Sequence, residues 1–304
     1  MRYWKVFAPV VFAAACLHTP GIVDLKPRTK DFTELFSGER AISLGLKHFG
    51  YSGLSVDERY NPHYNLLKPD GFLLAVRHIL EQKQGSLLWM APPCGSWVWM
   101  SASSTGRTAQ DPCGKDVPST RINNMLADRI CYLILLAFAL GIFVIIEQPW
   151  SSVLWEKPIV KEVFEFIKVL EARHDLGTNN AKSQKSLILK GTFPGIANLN
   201  KSIDGRDKKR IKLEKKPGDE LTVTSVDLDG NKRITGSKGL KDSQAYPLSF
   251  GAEVALQYHE YIQTNGHTPA APPWTLEELN HVCDLDIDLG GPECFADFEG
   301  WANA

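Results

Sequence analysis

Hydrophobic residues along this chain follow two periodicities. Short unbroken apolar runs, at residues 87–91 and 142–146, are typical of strands that a parallel sheet buries on both faces. Between the runs, apolar residues recur three and four positions apart, as they do from Phe72 to Leu80, and this spacing predicts amphipathic helices. Strands that alternate with helices indicate a sheet covered by helices on both faces.

These patterns define the expected elements. Strands are predicted at 31–36, 51–56, 87–91, 142–146 and, at a sheet edge, 187–189, with a further short strand at 64–67. Helices are predicted at 40–49, 70–82, 122–140, 159–172 and 250–262, and a long loop, 95–119, separates two of the elements. The expected fold class is α/β, with a doubly wound and mostly parallel sheet.

The two ends of the chain differ from its interior. Residues 1–30 form an N-terminal extension, and its charged start and short apolar run fit a secretory signal over residues 1–20 or an extra helix or strand. Residues 264–304 are rich in Pro and carboxylates, so a disordered acidic tail is expected there.

Three parts lie between these ends. The α/β core is expected to span residues 31–194. Residues 195–240 are polar, basic and turn-rich, which predicts a small basic β-rich insertion that contains a hairpin. Residues 241–263 supply a C-terminal helix.

Charge is balanced overall but unevenly distributed. The 304 residues carry a formal net charge of −1, so no overall basic field indicates a nucleic-acid partner. Basic residues nevertheless crowd residues 201–216, where Lys208, Lys209 and Arg210 are candidate contacts to phosphates. The alternative is a solvated charged loop.

Cysteine usage and apolar content bear on the compartment. The six cysteines lack metal-ligand spacing and are sparse for a disulfide scaffold, so a reducing compartment, nuclear or cytoplasmic, is favoured and no metal is expected. Residues 130–146 are almost wholly apolar but shorter than the roughly 20 residues of a membrane helix. Gly141 divides them, so a buried helix followed by a buried strand is expected, with no membrane partner.

Chemically capable residues follow the predicted strands. Cys94 comes after two prolines that end the run 87–91 and stiffen the loop, so it is a candidate nucleophile or else a small buried apolar residue. Glu147 follows the run 142–146, and parallel strands would bring it to the same sheet edge. A helix cap or an ion pair is its alternative role. Asp57 follows the run 51–56, where a doubly wound fold places an acid for a ribose, or it caps a helix.

These residues belong to an ordered set of motifs. The set comprises Glu34-Leu35-Phe36-Ser37-Gly38, Asp57, Pro92-Pro93-Cys94 and Glu147-Gln148-Pro149. In order and spacing it resembles the motifs of the cytosine-C5 DNA methyltransferases, over residues 31 to 262. The resemblance implies a Rossmann-like methyltransferase sheet. The segment at Tyr246-Pro247 is similar to the family's closing motif, in which the last helix packs back beside the cofactor-binding strand.

The resemblance also implies roles for single residues. Phe36, Ser37, Gly38 and Pro92 would line S-adenosylmethionine, and Asp57 would bind its ribose. Cys94 would be the nucleophile that attacks C6 of cytosine, and Glu147 the carboxylate that binds the ring nitrogen. The partner would be nucleic acid, DNA in preference to RNA, with the target base flipped out of any duplex.

Differences from the family pattern support an alternative function. The family's Gly-x-Gly-Gly turn reads Gly38-Glu39-Arg40-Ala41 here, and the target-recognition domain is absent or reduced to the basic insertion. Lys182 and Lys185 are the only counterparts we find for the family's paired arginines. The alternative is a catalytically inactive methyltransferase-like module that binds nucleic acid or protein. A thiol hydrolase would need a histidine base, for which His174 is the nearest candidate.

Overall fold

The computed structural model describes residues 27–267, except for 217–218, 221, 227–229 and 231. The expected N-terminal signal or extension, up to residue 26, and the acidic tail after residue 267 lie outside these residues.

Six of the described strands form one mixed sheet, in the order β2-β1-β3-β4-β6-β5. The first four strands of this order run parallel, whereas β6 is antiparallel to both of its neighbours, β4 and β5. A separate antiparallel pair, β7 and β8, forms the predicted hairpin. The strands are β1 (Lys30–Leu35), β2 (Gly53–Val56), β3 (Gln82–Met90), β4 (Phe143–Pro149), β5 (Leu170–Asp175), β6 (Ser186–Gly191), β7 (Thr222–Val226) and β8 (Lys232–Gly236). The predicted α/β class and mostly parallel sheet are confirmed.

Helices occupy both faces of this sheet. They are α1 (Ala41–His48), α2 (Pro69–Leu80), α3 (Ala102–Thr105), α4 (Pro118–Ala139), α5 (Pro158–Ile167), α6 (Gly205–Glu214), α7 (Lys238–Asp242) and α8 (Leu248–Asn265). Short 3-10 helices lie at Pro62–Tyr64, Trp99–Ser101, Val153–Glu156, Leu176–Asn179 and Pro194–Leu199.

The alternating residues of β4 show how the two apolar layers form. Val144 and Ile146 pack in a cluster with α2, α4 and α5, whereas Phe143 and Ile145 pack in a second cluster with α1 and α8. Successive side chains of a strand point to opposite faces, so a wholly apolar run suits a strand buried on both.

Helices α1 and α8 pack so closely that their backbones are in contact. A Cβ atom added to Gly45 would lie 2.4 Å from the Gly251 carbonyl oxygen. The reciprocal Cβ on Gly251 would lie 2.0 Å from the Ala41 carbonyl oxygen. Only glycine fits at these two positions, and this contact fixes the C-terminal helix beside the helix that follows β1.

The apolar helix α4 is a core element. Among the described residues it is the helix whose length and composition would allow it to cross a membrane. In the structure, 67% of its most apolar window is buried within the protein. A helix followed by the buried strand β4 was expected from residues 130–146, and the structure confirms this division.

The far edge of the sheet differs from the prediction. Residues 187–189 were expected at an edge, but β6 lies between β4 and β5, and β5 forms the edge. The helix predicted over 159–172 ends at Ile167, because Lys168 adopts a left-handed conformation (φ 54°) and strand β5 follows. The polar residues of β5 gave no strand signal in the sequence.

Two smaller predictions were also wrong. Residues 64–67 form no strand; a 3-10 helix ends at Tyr64, and the Asn65 side chain accepts a hydrogen bond from the Leu67 N–H (2.8 Å) to form a turn. The basic insertion, 195–240, is not mainly β-structure in its described residues, since its basic cluster lies largely on helix α6 and the strands belong to the hairpin.

Candidate active site

A cleft of about 760 Å³ opens at the carboxyl ends of the parallel strands. Strand order reverses at β1, with β2 on one side and β3 and β4 on the other. In open α/β sheets the crevice at such a reversal is where ligands bind. The sequence-predicted catalytic and cofactor residues all line this cleft: Phe36, Ser37, Gly38, Asp57, Pro92, Cys94 and Glu147.

The turn after β1 is tightly wound. Phe36, Gly38 and Arg40 adopt left-handed backbone conformations (φ 58°, 48° and 61°), which residues other than glycine seldom adopt. The Asp57 carboxylate, at the end of β2, accepts a hydrogen bond from the Gly38 N–H (2.8 Å). Asp57 therefore holds the turn in place and lines the cleft beside it.

Large side chains in this turn lie at the rim. The Arg40 guanidinium stacks on the Tyr60 ring, 3.6 Å from its centroid, and Arg40 is not among the residues that line the cleft. The Tyr60 hydroxyl donates a hydrogen bond to the Gly38 carbonyl. Glu39 pairs with Arg59 at 3.7 Å, and both side chains are exposed. Arg40, which stands where the pattern of the resembled family has a glycine, thus lies outside the cleft, whereas Glu39 and Arg59 line it.

The loop that carries Cys94 is tied to the neighbouring strand. Gln148, fully buried on β4, donates from Nε2 to the Pro92 carbonyl (2.6 Å) and accepts at Oε1 from the Ser152 hydroxyl (2.9 Å). The Trp97 N–H donates to the Cys94 carbonyl (2.9 Å). These bonds fix the position of Cys94 relative to β4.

The surroundings of Cys94 keep its thiol protonated. Burial raises the pKa of the thiol, the nearby Lys185 ammonium lowers it, and the Glu147 carboxylate raises it, with an upward net shift. The nucleophilic form of cysteine is the thiolate, so this environment disfavours the reactive form of Cys94.

The two carboxylate oxygens of Glu147 have different surroundings. Its Oε2 accepts a hydrogen bond from the Tyr246 hydroxyl (2.5 Å), while Oε1 is buried without a partner among the described residues. Buried polar atoms almost always have partners, so an orphaned oxygen in a cleft indicates where a ligand would donate.

Tyr246 is itself fixed by aromatic contacts. Its ring packs edge-on against Phe250 (5.2 Å between centroids) and against Trp89 (6.2 Å). Burial, with the Glu147 charge second, raises its pKa well above the usual value. The Tyr246 hydroxyl therefore keeps its proton and donates a hydrogen bond to Glu147. The sequence does not indicate this role, because the two residues are 99 positions apart.

Two other sequence candidates occupy different places. Lys185 lines the cleft, whereas Lys182 does not. His174 is fully buried away from the cleft, with Nδ1 bonded to the Leu199 carbonyl (2.6 Å) and Nε2 to the Asn179 side chain (2.5 Å). It is unavailable as a base for Cys94. In the described part of the chain no group of His, Cys, Asp and Glu side chains could hold a metal ion.

The candidate phosphate contacts do not line the cleft. Lys208 and Lys209 are exposed on α6. Arg210 is half-buried and donates to the Gly177 carbonyl (2.6 Å) and to Glu214 (3.0 Å). Its guanidinium therefore anchors α6 to the protein.

No protein-family model matches the chain, and no curated protein matches it either. Function therefore has to be argued from the cleft.

Proposed function

We propose that this chain is a divergent S-adenosylmethionine-dependent methyltransferase with a Rossmann-like sheet, which methylates C5 of cytosine in nucleic acid, DNA in preference to RNA. One observation carries the proposal. Cys94 and Glu147, from the ends of adjacent parallel strands, line one cleft together with the turn at Gly38 and with Asp57.

The residues of the cleft fit S-adenosylmethionine. Asp57 accepts one backbone hydrogen bond at each oxygen, from Gly38 (2.8 Å) and Arg59 (2.9 Å). A carboxylate has about four lone-pair sites, so acceptor capacity remains for ribose hydroxyls. The buried Ser37 hydroxyl has no partner among the described residues, and Phe36 and Val56 supply apolar wall. The volume of the cleft suits a ligand of this size.

The protein's own groups would act on the cytosine ring. Cys94 Sγ, after losing its proton to solvent, forms a bond to C6, and the electron pair of the C5–C6 π bond moves onto C5, which becomes nucleophilic. When bound, S-adenosylmethionine supplies the electrophilic methyl group. The C5 proton then leaves to solvent, the C5–C6 double bond re-forms, and the Cys94 thiolate departs.

Glu147 would stabilise the ring as charge develops. Because Tyr246 occupies Oε2, Oε1 is the oxygen available to bind the ring nitrogen. A preorganised group of this kind acts where charge forms in the transition state.

A second function is favoured by the raised pKa of Cys94. A thiol that stays protonated is a poor nucleophile, and this suits a catalytically inactive module that keeps the fold to bind nucleic acid or protein. The two functions differ in whether the cleft binds the cofactor and in whether Cys94 reacts.

Calorimetric titration of S-adenosylmethionine and S-adenosylhomocysteine into the purified chain tests the proposal. We expect micromolar binding that is strongly weakened in Asp57→Ala and unchanged in Lys47→Ala, whose exposed side chain lies at the far end of α1. Absence of binding at millimolar ligand would contradict the methyltransferase proposal and favour the binding module.

A further inference from the structure

Two exposed tryptophans follow the strands that carry Cys94 and Glu147. Trp99 is 63% exposed and Trp150 is 54% exposed. Trp150 directly follows β4, three residues after Glu147. The Arg173 guanidinium lies over one face of its indole, 4.5 Å from the centroid. More than half of Trp150 is nevertheless exposed and within reach of a ligand.

Trp150 is fixed beside the cleft. Its backbone N–H donates to the Ser186 carbonyl (3.0 Å), and Ser186 directly follows Lys185, which lines the cleft. Arg173 donates to the Ser186 hydroxyl (3.3 Å) and pairs with Asp175 (3.6 Å). The indole and the guanidinium are therefore held at the ends of β4, β5 and β6, at the sheet edge where the cleft opens.

Trp99 belongs to the same region. The Val153 N–H donates to the Trp97 carbonyl (2.9 Å), so the segment after Cys94 lies against the segment after Trp150. Trp97 is buried beneath the Arg107 guanidinium (3.5 Å), which anchors this segment and leaves Trp99 at the surface.

Positive charge lies beside these tryptophans. Arg210 bonds α6 to the Gly177 and Ala181 carbonyls, in the connection between β5 and β6 that ends at Lys185. Asp204, which caps α6, pairs with Arg206, and Glu214 pairs with Arg210. Lys182 lies in this connection and Lys208 and Lys209 lie on α6, and all three side chains are exposed.

We infer that this surface, the tryptophan rim formed by Trp99, Trp150, Arg173, Lys182, Lys208 and Lys209, binds single-stranded nucleic acid. Trp150 stacks on the base adjacent to the one in the cleft, and the lysines follow the phosphates. Aromatic platforms within basic grooves bind unpaired bases because every base has a π-face. A duplex keeps its bases stacked on one another and offers Trp150 no such face. As a statement of substrate class, the inference rests on the proposed function.

The test is fluorescence anisotropy with a labelled oligodeoxynucleotide, its duplex, and single-stranded RNA of the same sequence, all without cofactor. We expect the single strands to bind more tightly than the duplex. Trp150→Ala should weaken single-strand binding by about 5- to 150-fold, the range for losing one stacked base. Trp150→Phe keeps an aromatic face and should restore most of the affinity.

A matched control separates stacking from general loss of apolar surface. Leu170 is 44% exposed at the start of β5, at the end of the strands that is opposite the cleft. Leu170→Ala should therefore not change binding. Single-strand affinity that is unchanged in Trp150→Ala, or duplex affinity that equals single-strand affinity, would overturn the inference.

The outcomes separate this inference from the proposed function. Single-strand binding that depends on Trp150, in a protein that binds no S-adenosylmethionine, would support the rim and contradict the methyltransferase. Cofactor binding without any effect of Trp150→Ala would support the enzyme and overturn the rim. The relative affinities of DNA and RNA identify the nucleic acid.

Discussion

The two halves of the cleft are built by different means. At the ends of β1 and β2, the turn is held by one carboxylate, Asp57, and by exposed pairs such as Glu39 with Arg59. At the ends of β3 and β4, buried bonds position the groups: Gln148 to Pro92, and Tyr246 to Glu147.

The two halves therefore differ in how firmly their groups are held. Exposed ion pairs contribute about 0–1 kcal/mol, whereas buried hydrogen bonds cost more to break and fix geometry. Buried bonds thus hold the Cys94 loop and Glu147 in place in the β3–β4 half. In the β1–β2 half the turn after β1 depends on one half-buried carboxylate and on exposed pairs.

The largest effect is expected in the β3–β4 half. Glu147→Gln keeps the shape of the side chain but removes the carboxylate that would stabilise the ring nitrogen as charge develops, so the methylation rate should fall by about 10²- to 10⁴-fold. Cofactor affinity should stay within a few-fold. A tritiated-methyl transfer assay measures the rate, with Glu171→Gln as the control, since Glu171, on the edge strand β5, pairs with Lys190 on the neighbouring β6. Unchanged methylation activity would show that Glu147 takes no part in the reaction.

A second effect concerns Glu34, which is buried beneath the turn after β1. It accepts hydrogen bonds from the Ser43 N–H (2.9 Å) and hydroxyl, and its other oxygen has no partner among the described residues. Burial raises its pKa from 4.5 to about 7. Between these two values the folded chain retains a proton that the unfolded chain has lost, so stability should decrease as pH rises through this window and level off above it.

Urea denaturation measures the size of this effect. The free energy of unfolding should fall by about 3 kcal/mol between roughly pH 4.5 and pH 7 relative to Glu34→Gln, since each pKa unit corresponds to about 1.4 kcal/mol. The comparison between the two proteins removes the contribution of other groups. Parallel pH profiles for wild type and variant would contradict the prediction.

A smaller effect is expected at Asp57. Asp57→Ala removes the acceptor of Gly38 and, on the proposal, of the ribose, so the dissociation constant for S-adenosylmethionine should rise by about 10- to 100-fold. Glu39→Ala, at the exposed rim of the same half, should change it by less than about fivefold. Equal effects of the two substitutions would mean that Asp57 has no special role.

The smallest effect is expected at Tyr246. Tyr246→Phe removes one hydrogen bond to Glu147 and should lower the methylation rate by about tenfold while leaving cofactor affinity unchanged. It should also shift the pH profile of the rate, since Glu147 loses its donor. Tyr51→Phe is the control because its hydroxyl bonds His259 (3.1 Å), away from the cleft. A loss of stability without a shifted pH profile would show a structural role only.

Part of this fold could be read from the sequence. The runs at 87–91 and 142–146 predicted the apolar parts of β3 and β4, because unbroken apolar residues suit a strand that is covered on both faces. Strand β3 begins five residues earlier, at Gln82, which was predicted as the last residue of the preceding helix. Strand β5 could not be predicted from the sequence. It is an edge strand with polar residues, Glu171 and Arg173 among them, so it has no unbroken apolar run and no helical spacing of apolar residues. Its position also displaced the predicted edge strand β6 inward.

The site could be predicted in outline only. Parallel strands bring their carboxyl ends together, so Cys94 and Glu147 were expected at one edge, and the structure places both in the cleft. The bond from Gln148 to Pro92 spans 56 residues, and the one from Tyr246 to Glu147 spans 99. Neither has a local signal, because only the folded chain brings these side chains together. The roles of the site residues stay predictions.

The most direct measurement is covalent trapping with an oligonucleotide that contains 5-fluorocytosine, in the presence of S-adenosylmethionine. Release of Cys94 requires loss of the proton at C5, and fluorine at this position does not leave in the same way. The covalent intermediate between Cys94 and the ring therefore accumulates. The account predicts a denaturant-resistant adduct that mass spectrometry maps to Cys94, absent without cofactor and absent in Cys94→Ser. Wild-type protein that binds both ligands yet forms no adduct would contradict the role of Cys94 as a nucleophile.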